Sequence, residues 1–299
     1  MMKYKFFALL ARLKQFFKIN LNISVSIFNF DKSKISHSED LALIIQGPIF
    51  ENTLPRIRFL RGQFPNAQII VSTWSNQKID KKVLDSLNIE LLKNDYPKAS
   101  GILNSNFQLT SVKNSLNLLK ENISFVSKIR TDYIPTKLLN GFDFVKKMEK
   151  ILLNKNRLWS VDINTFANIP FSIGDILQIA DIKTFKKFWS SSELIETEFS
   201  HESFNKASSD DLINKTYELN PPEVMFAKNY LKCLDIDVNK NPTIAYQNSL
   251  KNNFGIIDAD HIGLTFDKYS VLRAGRPNIS KKIYIDFMDW FNTQEFRQE

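Results

Sequence analysis

The stretch Leu41-Ala42-Leu43-Ile44-Ile45-Gln46-Gly47-Pro48 decides how this chain is read. An apolar run of that length without alternation is a strand buried on both faces, and the Gly-Pro pair stops it and delivers the chain to a loop. The arrangement recurs downstream. Residues 67–73 (AQIIVST) run into Trp74, residues 89–92 into Asn94-Asp95, and residues 125–129 into Arg130-Thr131-Asp132. Between these runs, residues 53–63, 78–87 and 104–119 carry helical patterns. Strand and helix alternating three times before a fourth strand specify an α/β fold, a Rossmann-type sandwich with a mostly parallel central sheet. Ligands of such sheets bind beyond the carboxyl ends of the strands, and all four runs end in polar or turn-forming residues.

The pattern loosens after residue 140. Residues 142–153 read as a helix with Val145, Met148, Ile151 and Leu152 on one face, and residues 158–161 as a strand. Residues 171–179 read as another strand, interrupted at Gly174-Asp175, and 182–188 as a short helix. A polar excursion over 190–220 precedes Pro221-Pro222-Glu223, which opens a helix running to about residue 234. Short strands are expected at 256–257 and 284–285. The chain divides into a basic N-terminal segment, 1–29, and one domain, 30–299, with no internal repeat.

Composition narrows the class. The 299 residues are 43% hydrophobic and 24% charged, enough to build a core. No stretch approaches the ~20 apolar residues that a membrane-spanning helix needs. The single cysteine, Cys233, excludes an internal disulfide and a cysteine zinc cage, and it points to a reducing compartment. The net charge is +8, but Lys3, Lys5, Arg12, Lys14 and Lys18 put +5 of it in the first 20 residues, which hold no acid. The body is nearly balanced and lacks the basic stripe of a nucleic-acid-binding domain. In the tail, Phe6, Leu9, Leu10, Leu13, Phe16 and Phe17 recur at helical spacing between the cations. A basic helix with such a face suits the surface of an anionic bilayer. Packing on the protein's own core or on a partner is the alternative, and a signal sequence is a third, opposed by the interruption at Arg12.

Much chemistry is missing. The three histidines, His37, His201 and His261, form no His-Glu-x-x-His pattern. There is no phosphate-cradling Gly-x-x-x-x-Gly-Lys-Ser/Thr loop, no Gly-x-Gly-x-x-Gly after the first strand and no Gly-x-Ser-x-Gly elbow. What remains is a sheet with polar strand ends, an acid after the fourth strand and no covalent nucleophile. That inventory suits transfer from a diphosphate-activated substrate, in which the protein orients the reactants and neutralises phosphate charge.

Three motifs add a resemblance: Leu43-Ile-Ile-Gln-Gly-Pro-Ile49 with Thr53 downstream, Phe64-Pro-Asn-Ala-Gln-Ile-Ile-Val-Ser-Thr-Trp74, and Lys128-Ile-Arg-Thr-Asp132. In this order and spacing they resemble the WavE lipopolysaccharide-synthesis family, regarded as bacterial glycosyltransferases with a GT-A-like fold. The match is dense over 41–132 and thin afterwards. The resemblance implies a nucleotide-sugar donor whose base meets Gln46, Gly47 and Pro48, with Thr73 and Trp74 touching or stacking on it. For Trp74 the alternative is a place in the core. Asp95 would bind ribose or base, or cap a turn. Arg130-Thr131-Asp132 occupies the place of the Asp-x-Asp metal motif, with Arg130 replacing the first acid. Arg130 would then neutralise phosphate, while Asp132 ligates Mg²⁺ or Mn²⁺ or holds a donor hydroxyl; a structural Arg–Asp pair is the alternative. Asp175 and Glu223 are two candidates for the base acting on an acceptor hydroxyl. His261 is a candidate metal ligand, with a structural role as the alternative, and Lys268, Arg273 and Arg276 would close over phosphate or simply be solvated. The expected function is sugar transfer onto a lipid-linked or oligosaccharide acceptor of lipopolysaccharide or capsule, at the cytoplasmic face of the inner membrane. A nucleotidyltransferase and a non-catalytic glycan-binding protein are the alternatives.

Overall fold

In the computed structural model, which describes residues 39–153, 156–167, 169–196, 219–266 and 290, the opening run forms β1 (Leu41–Gln46), every residue of it buried. It lies between two parallel neighbours, β2 (Gln68–Trp74) and β4 (Phe125–Arg130), and β3 (Glu90–Asn94) extends the sheet beyond β2. Three helices connect them: α1 (Thr53–Gln63), α2 (Lys81–Ser86) and α3 (Ser105–Leu116). The chain then adds the short β5 (Tyr133–Pro135), α4 (Leu138–Ile151), β6 (Leu158–Val161), β7 (Leu177–Asp181) and α5 (Ile182–Ser190). Further along the chain come α6 (Pro222–Lys232), α7 (Pro242–Asn252), β8 (Phe254–Ile257) and β9 (Leu264–Phe266). The strand order is β3-β2-β1-β4-β7-β6-β8, with β5 and β9 paired in a separate ribbon. Only β7 runs against its neighbours, so the expected mostly parallel α/β sandwich is what forms.

Side chains alternate across a strand, and this sorts the helices onto the two faces. Lys128 reaches the Trp189 ring of α5 and Gln108 of α3, whereas Ile179, one position away from Lys128's partner Gln178, faces Gly141 of α4. α4 shares its face with α1 through the edge-on contact of Phe64 and Phe142, centroids 5.8 Å apart. α3, α5 and α6 pack together on the other face. Local chemistry sets the ends. Asp181 accepts from Thr184 N and caps α5, Asn241 accepts from Ile244 N and caps α7, and Arg61 donates to the carbonyls of Phe64, Pro65 and Ala67 as α1 ends.

Several expectations are corrected here. The helix expected over 142–153 begins a turn earlier, at Leu138. The strand expected over 171–179 starts only at Leu177, because Phe171 is left-handed (φ 64°) and a Cβ on Gly174 would lie 2.3 Å from Ile163 O. That close approach keeps 171–176 irregular. α7, with Tyr246 and Leu250 buried a turn apart, was not expected at all. The N-terminal segment 1–29, most of the excursion, the strand at 284–285 and the residues Lys268, Arg273 and Arg276 lie outside the described residues. No described helix is long and apolar enough to cross a membrane.

Candidate active site

A cavity of about 390 Å³ opens at the carboxyl ends of β1, β2 and β4, between them and the start of α3. Gln46, Gly47 and Pro48 form its floor, Trp74 one wall, and Arg130 and Asp132 the opposite side. These six residues, expected from the sequence to face a ligand, are brought together here, whereas Thr73 and Asp95 are not. Gly47 is required by geometry. Its φ of +136° disfavours any L side chain, and a Cβ there would sit 2.7 Å from the Thr131 hydroxyl oxygen. Gly47 N donates to Ser72 O and Thr131 N to Gln46 O, so the ends of β1, β2 and β4 are tied together at the cavity floor. Gly47→Ala is therefore expected to destabilise the fold by about 1–3 kcal/mol, read from chemical denaturation, and to weaken ligand binding more than Pro48→Ala does.

The aromatic wall has three members. Trp74 stacks on Tyr96 with centroids 5.1 Å apart and 21° between planes, and Phe107 meets both rings. Trp74 is itself buried, while Tyr96, which also lines the cavity, remains 46% exposed. The wall's polar neighbours are amides: Gln77, Asn104 and Gln108 also line the cavity, and Gln46 Oε1 is buried without a hydrogen-bond partner among the described residues. A buried acceptor left open costs stability unless a ligand or water supplies the donor. Thr73 is also buried with its hydroxyl unpartnered, but it does not line the cavity. Asp95 is exposed and outside the lining; its neighbour Asn94 turns inward to Ser72 and Thr73 O, and Tyr96 takes the place at the wall. Sequence reading missed Tyr96 and Phe107, whose signal was only their position just past a strand and inside a helix.

Arg130 and Asp132, on the opposite side, belong to a charge cluster whose other members, Lys128, Asp175 and Glu223, do not line the cavity. Arg130 donates through Nε and Nη2 to both oxygens of Asp132, at 3.0 and 2.8 Å. Its guanidinium lies 5.6 Å from the Tyr133 ring centre. Burial opposes its charge, but Asp175 and Asp132 together hold its pKa above the usual value. Asp175 is 2% exposed, with Oδ1 unpartnered. Glu223, in the first turn of α6, receives a hydrogen bond from Asn164 at 3.3 Å. The residue keeps partial exposure, yet withdrawal of its carboxyl from solvent and then the charge of Asp175 push it up to about 7. Lys128, buried within β4, is lowered by burial to about 8. Asp175 and Glu223, read from the sequence as separate candidates, thus belong to one electrostatic unit with Arg130. Lys128 was visible in the sequence only as part of a motif.

The donor set fits an anion better than a cation. Both oxygens of Asp132 already engage Arg130, and no group of three or more His, Cys, Asp and Glu side chains is placed to hold a metal among the described residues. His261 is exposed in the turn after β8, its ring 5.1 Å from Phe144 and not in the cavity lining. A larger cleft, about 510 Å³, lies at the opposite edge beside Phe125 and Asp181. Its half-buried acid, Glu149, receives Trp159 Nε1 and Arg157 N on Oε1 alone, and no strand of the parallel set ends there.

A cavity at the carboxyl ends of parallel strands, with rings on one side and a guanidinium on the other, defines an α/β protein with a ligand site at its strand ends. The chain belongs to the WavE lipopolysaccharide synthesis family, whose model matches residues 41–298. Among solved structures it is similar to 4-diphosphocytidyl-2C-methyl-D-erythritol synthase from Anaerococcus prevotii, at 14% identity over 65% of this chain and 100% of that one, with a TM-score of 0.32. No curated protein matches the sequence.

Proposed function

We propose that this protein is a glycosyltransferase that moves a sugar from a nucleotide-sugar donor to a glycan acceptor of lipopolysaccharide or capsule. The observation that carries the reading is the convergence on one cavity of an aromatic and amide wall with a guanidinium. The first suits a nucleobase and the second a diphosphate. Membership of a lipopolysaccharide-synthesis family supports the acceptor class.

In this reading the base meets Gln46 and Tyr96, and the diphosphate reaches Arg130. Glu223 takes the proton of the acceptor hydroxyl, whose oxygen bonds to the anomeric carbon. The bond from that carbon to the diphosphate oxygen breaks, and the electron pair leaves with the nucleotide. Burial, and then the charge of Asp175, keep the Glu223 carboxyl basic enough to accept a proton near neutrality. A divalent cation, if the reaction takes one, would share the diphosphate with Arg130; the steps above are those of the chain's own residues. The basic tail would hold the enzyme against the cytoplasmic face of the inner membrane, near a lipid-linked acceptor.

A thermal-shift panel of nucleotide sugars, with and without Mn²⁺, tests the reading first. A bound donor at 100 times its Kd raises stability by about 2.7 kcal/mol. Product analysis then separates classes: a free nucleoside diphosphate from a nucleotide sugar supports glycosyl transfer, and pyrophosphate from a nucleoside triphosphate indicates nucleotidyl transfer. Glycan binding with no nucleotide-sugar binding overturns the proposal.

A further inference from the structure

Across the sheet, on the face covered by α3 and α5, one row of residues is out of character. The register aligns Ile70, Ile44, Lys128, Gln178, Ser160 and Ile256 on β2, β1, β4, β7, β6 and β8. Three polar side chains, all 0% exposed, interrupt a line of isoleucines. Such a layer is normally apolar, and burying a lysine there costs stability unless something specific offsets it. Among the described residues, Lys128 Nζ has no carboxylate at hydrogen-bond distance. It donates to Asp175 O and to Gln108 Oε1.

The other two members reach the adjoining peptide. Ser160 Oγ donates to Gly174 O at 2.5 Å and Gln178 Nε2 donates to the same oxygen at 3.1 Å. Thr165 Oγ1 receives Gly174 N at 3.0 Å. Every main-chain oxygen of the 174–175 turn is therefore held by the polar row. The side chain carried by that turn is Asp175, whose Oδ1 is buried and unpartnered. The acid cannot be held by its own carboxylate, so its backbone is held instead.

We propose that Lys128, Gln178 and Ser160 are positioning residues, which fix the Gly174-Asp175 turn so that the Asp175 carboxylate stays beside Glu223 and Arg130. This rests on the transferase reading for its effect on rate, but not for its effect on structure. The charged groups facing Glu223 are Asp175, Arg130 and Lys128, and Asp132 joins them around Lys128. Asp175 raises the Glu223 pKa, so Asp175→Asn moves the rising limb of the rate–pH profile to lower pH. Displacing the turn acts in the same direction by a smaller amount.

Ser160→Ala and Gln178→Met test this without changing charge, and the serine variant removes a single oxygen. In the full chain, hydrogen exchange over 171–178 is expected to quicken about fivefold, the worth of one hydrogen bond, with β1 and β2 unchanged. In turnover, each variant is expected to shift the limb to lower pH and to lose up to about 10²-fold at pH 8. Neither effect is expected when the variants are made in the Asp175→Asn background. Unchanged exchange in both variants overturns the inference, whatever the donor proves to be. Faster exchange with an unmoved limb, or with losses that add to those of Asp175→Asn, also overturns it, because the row would then be structural only. A wild-type protein that binds no nucleotide sugar sinks the transferase reading alone, and the exchange result still decides the role of the row.

Discussion

Arg130→Ala is expected to lower turnover of a nucleotide sugar by about 10²–10³-fold, the usual cost of removing one preorganised group from a site where charge develops. The guanidinium is the cation that lines the cavity, and its charge is secured by Asp175 and Asp132. Arg130→Lys should recover little, since an ammonium offers a point charge without the planar fork that grips Asp132 through two hydrogen bonds. A second effect has to be separated from the first. Asp132 is 6% exposed and loses both of these bonds in the alanine variant, which costs about 1–3 kcal/mol or more for a charged group. Arg130→Ala combined with Asp132→Asn removes the stranded charge and should regain stability without regaining turnover. Turnover within a few fold of wild type in Arg130→Ala would remove the guanidinium from the reaction.

Glu223→Gln is expected to be nearly inactive, by about 10²–10⁴-fold, and yet more stable than the wild type in mildly alkaline buffer. The sign follows from proton counting. The folded carboxyl titrates at about 7, above the ~4.3 of an unfolded glutamate, so the native state binds more protons between those values. The stability this carboxyl contributes is complete below the unfolded value and is lost as pH rises through about 7. Glutamine carries no such loss. Melting temperatures of the two proteins should coincide near pH 4.5 and separate by pH 8, with the variant higher. The wild-type rate should rise along a limb near pH 7 as the base loses its proton. A glutamine variant with wild-type turnover at pH 8 would exclude Glu223 as the base. Stability gained where activity is lost is the ordinary signature of a strained catalytic group.

These expectations draw on residues that the sequence made visible to different degrees. The run at 41–45 is a strong local signal, since a strand buried on both faces is usually apolar. Those at 67–73 and 125–129 are mixed, with Gln68, Ser72, Thr73, Ser127 and Lys128 buried in them, and were legible from their apolar majority and their ends. The strand ends together marked Gln46, Gly47, Trp74, Arg130 and Asp132. Asp95 against Tyr96 shows the limit. Which of two successive residues past a strand faces the cavity depends on the path of the turn, and no composition rule sets that. The break at Gly174-Asp175 was legible as a break, but not its reason, because the close approach to Val161 O and Ile163 O belongs to a distant strand.

By itself, then, the sequence determined the alternation of strands and helices, the strand ends where ligand chemistry gathers, and the motifs shared with a lipopolysaccharide-synthesis family. Those properties are local: periodicity, turn formers and residue order carry them. Tertiary structure alone decided that β7 enters antiparallel beside β4 and that α6 starts near the end of β4. Those two choices bring Asp175 and Glu223, 48 residues apart in sequence, into the field of Arg130 and Lys128. Charge coupling depends on distance through space, and only the closed sheet sets that distance.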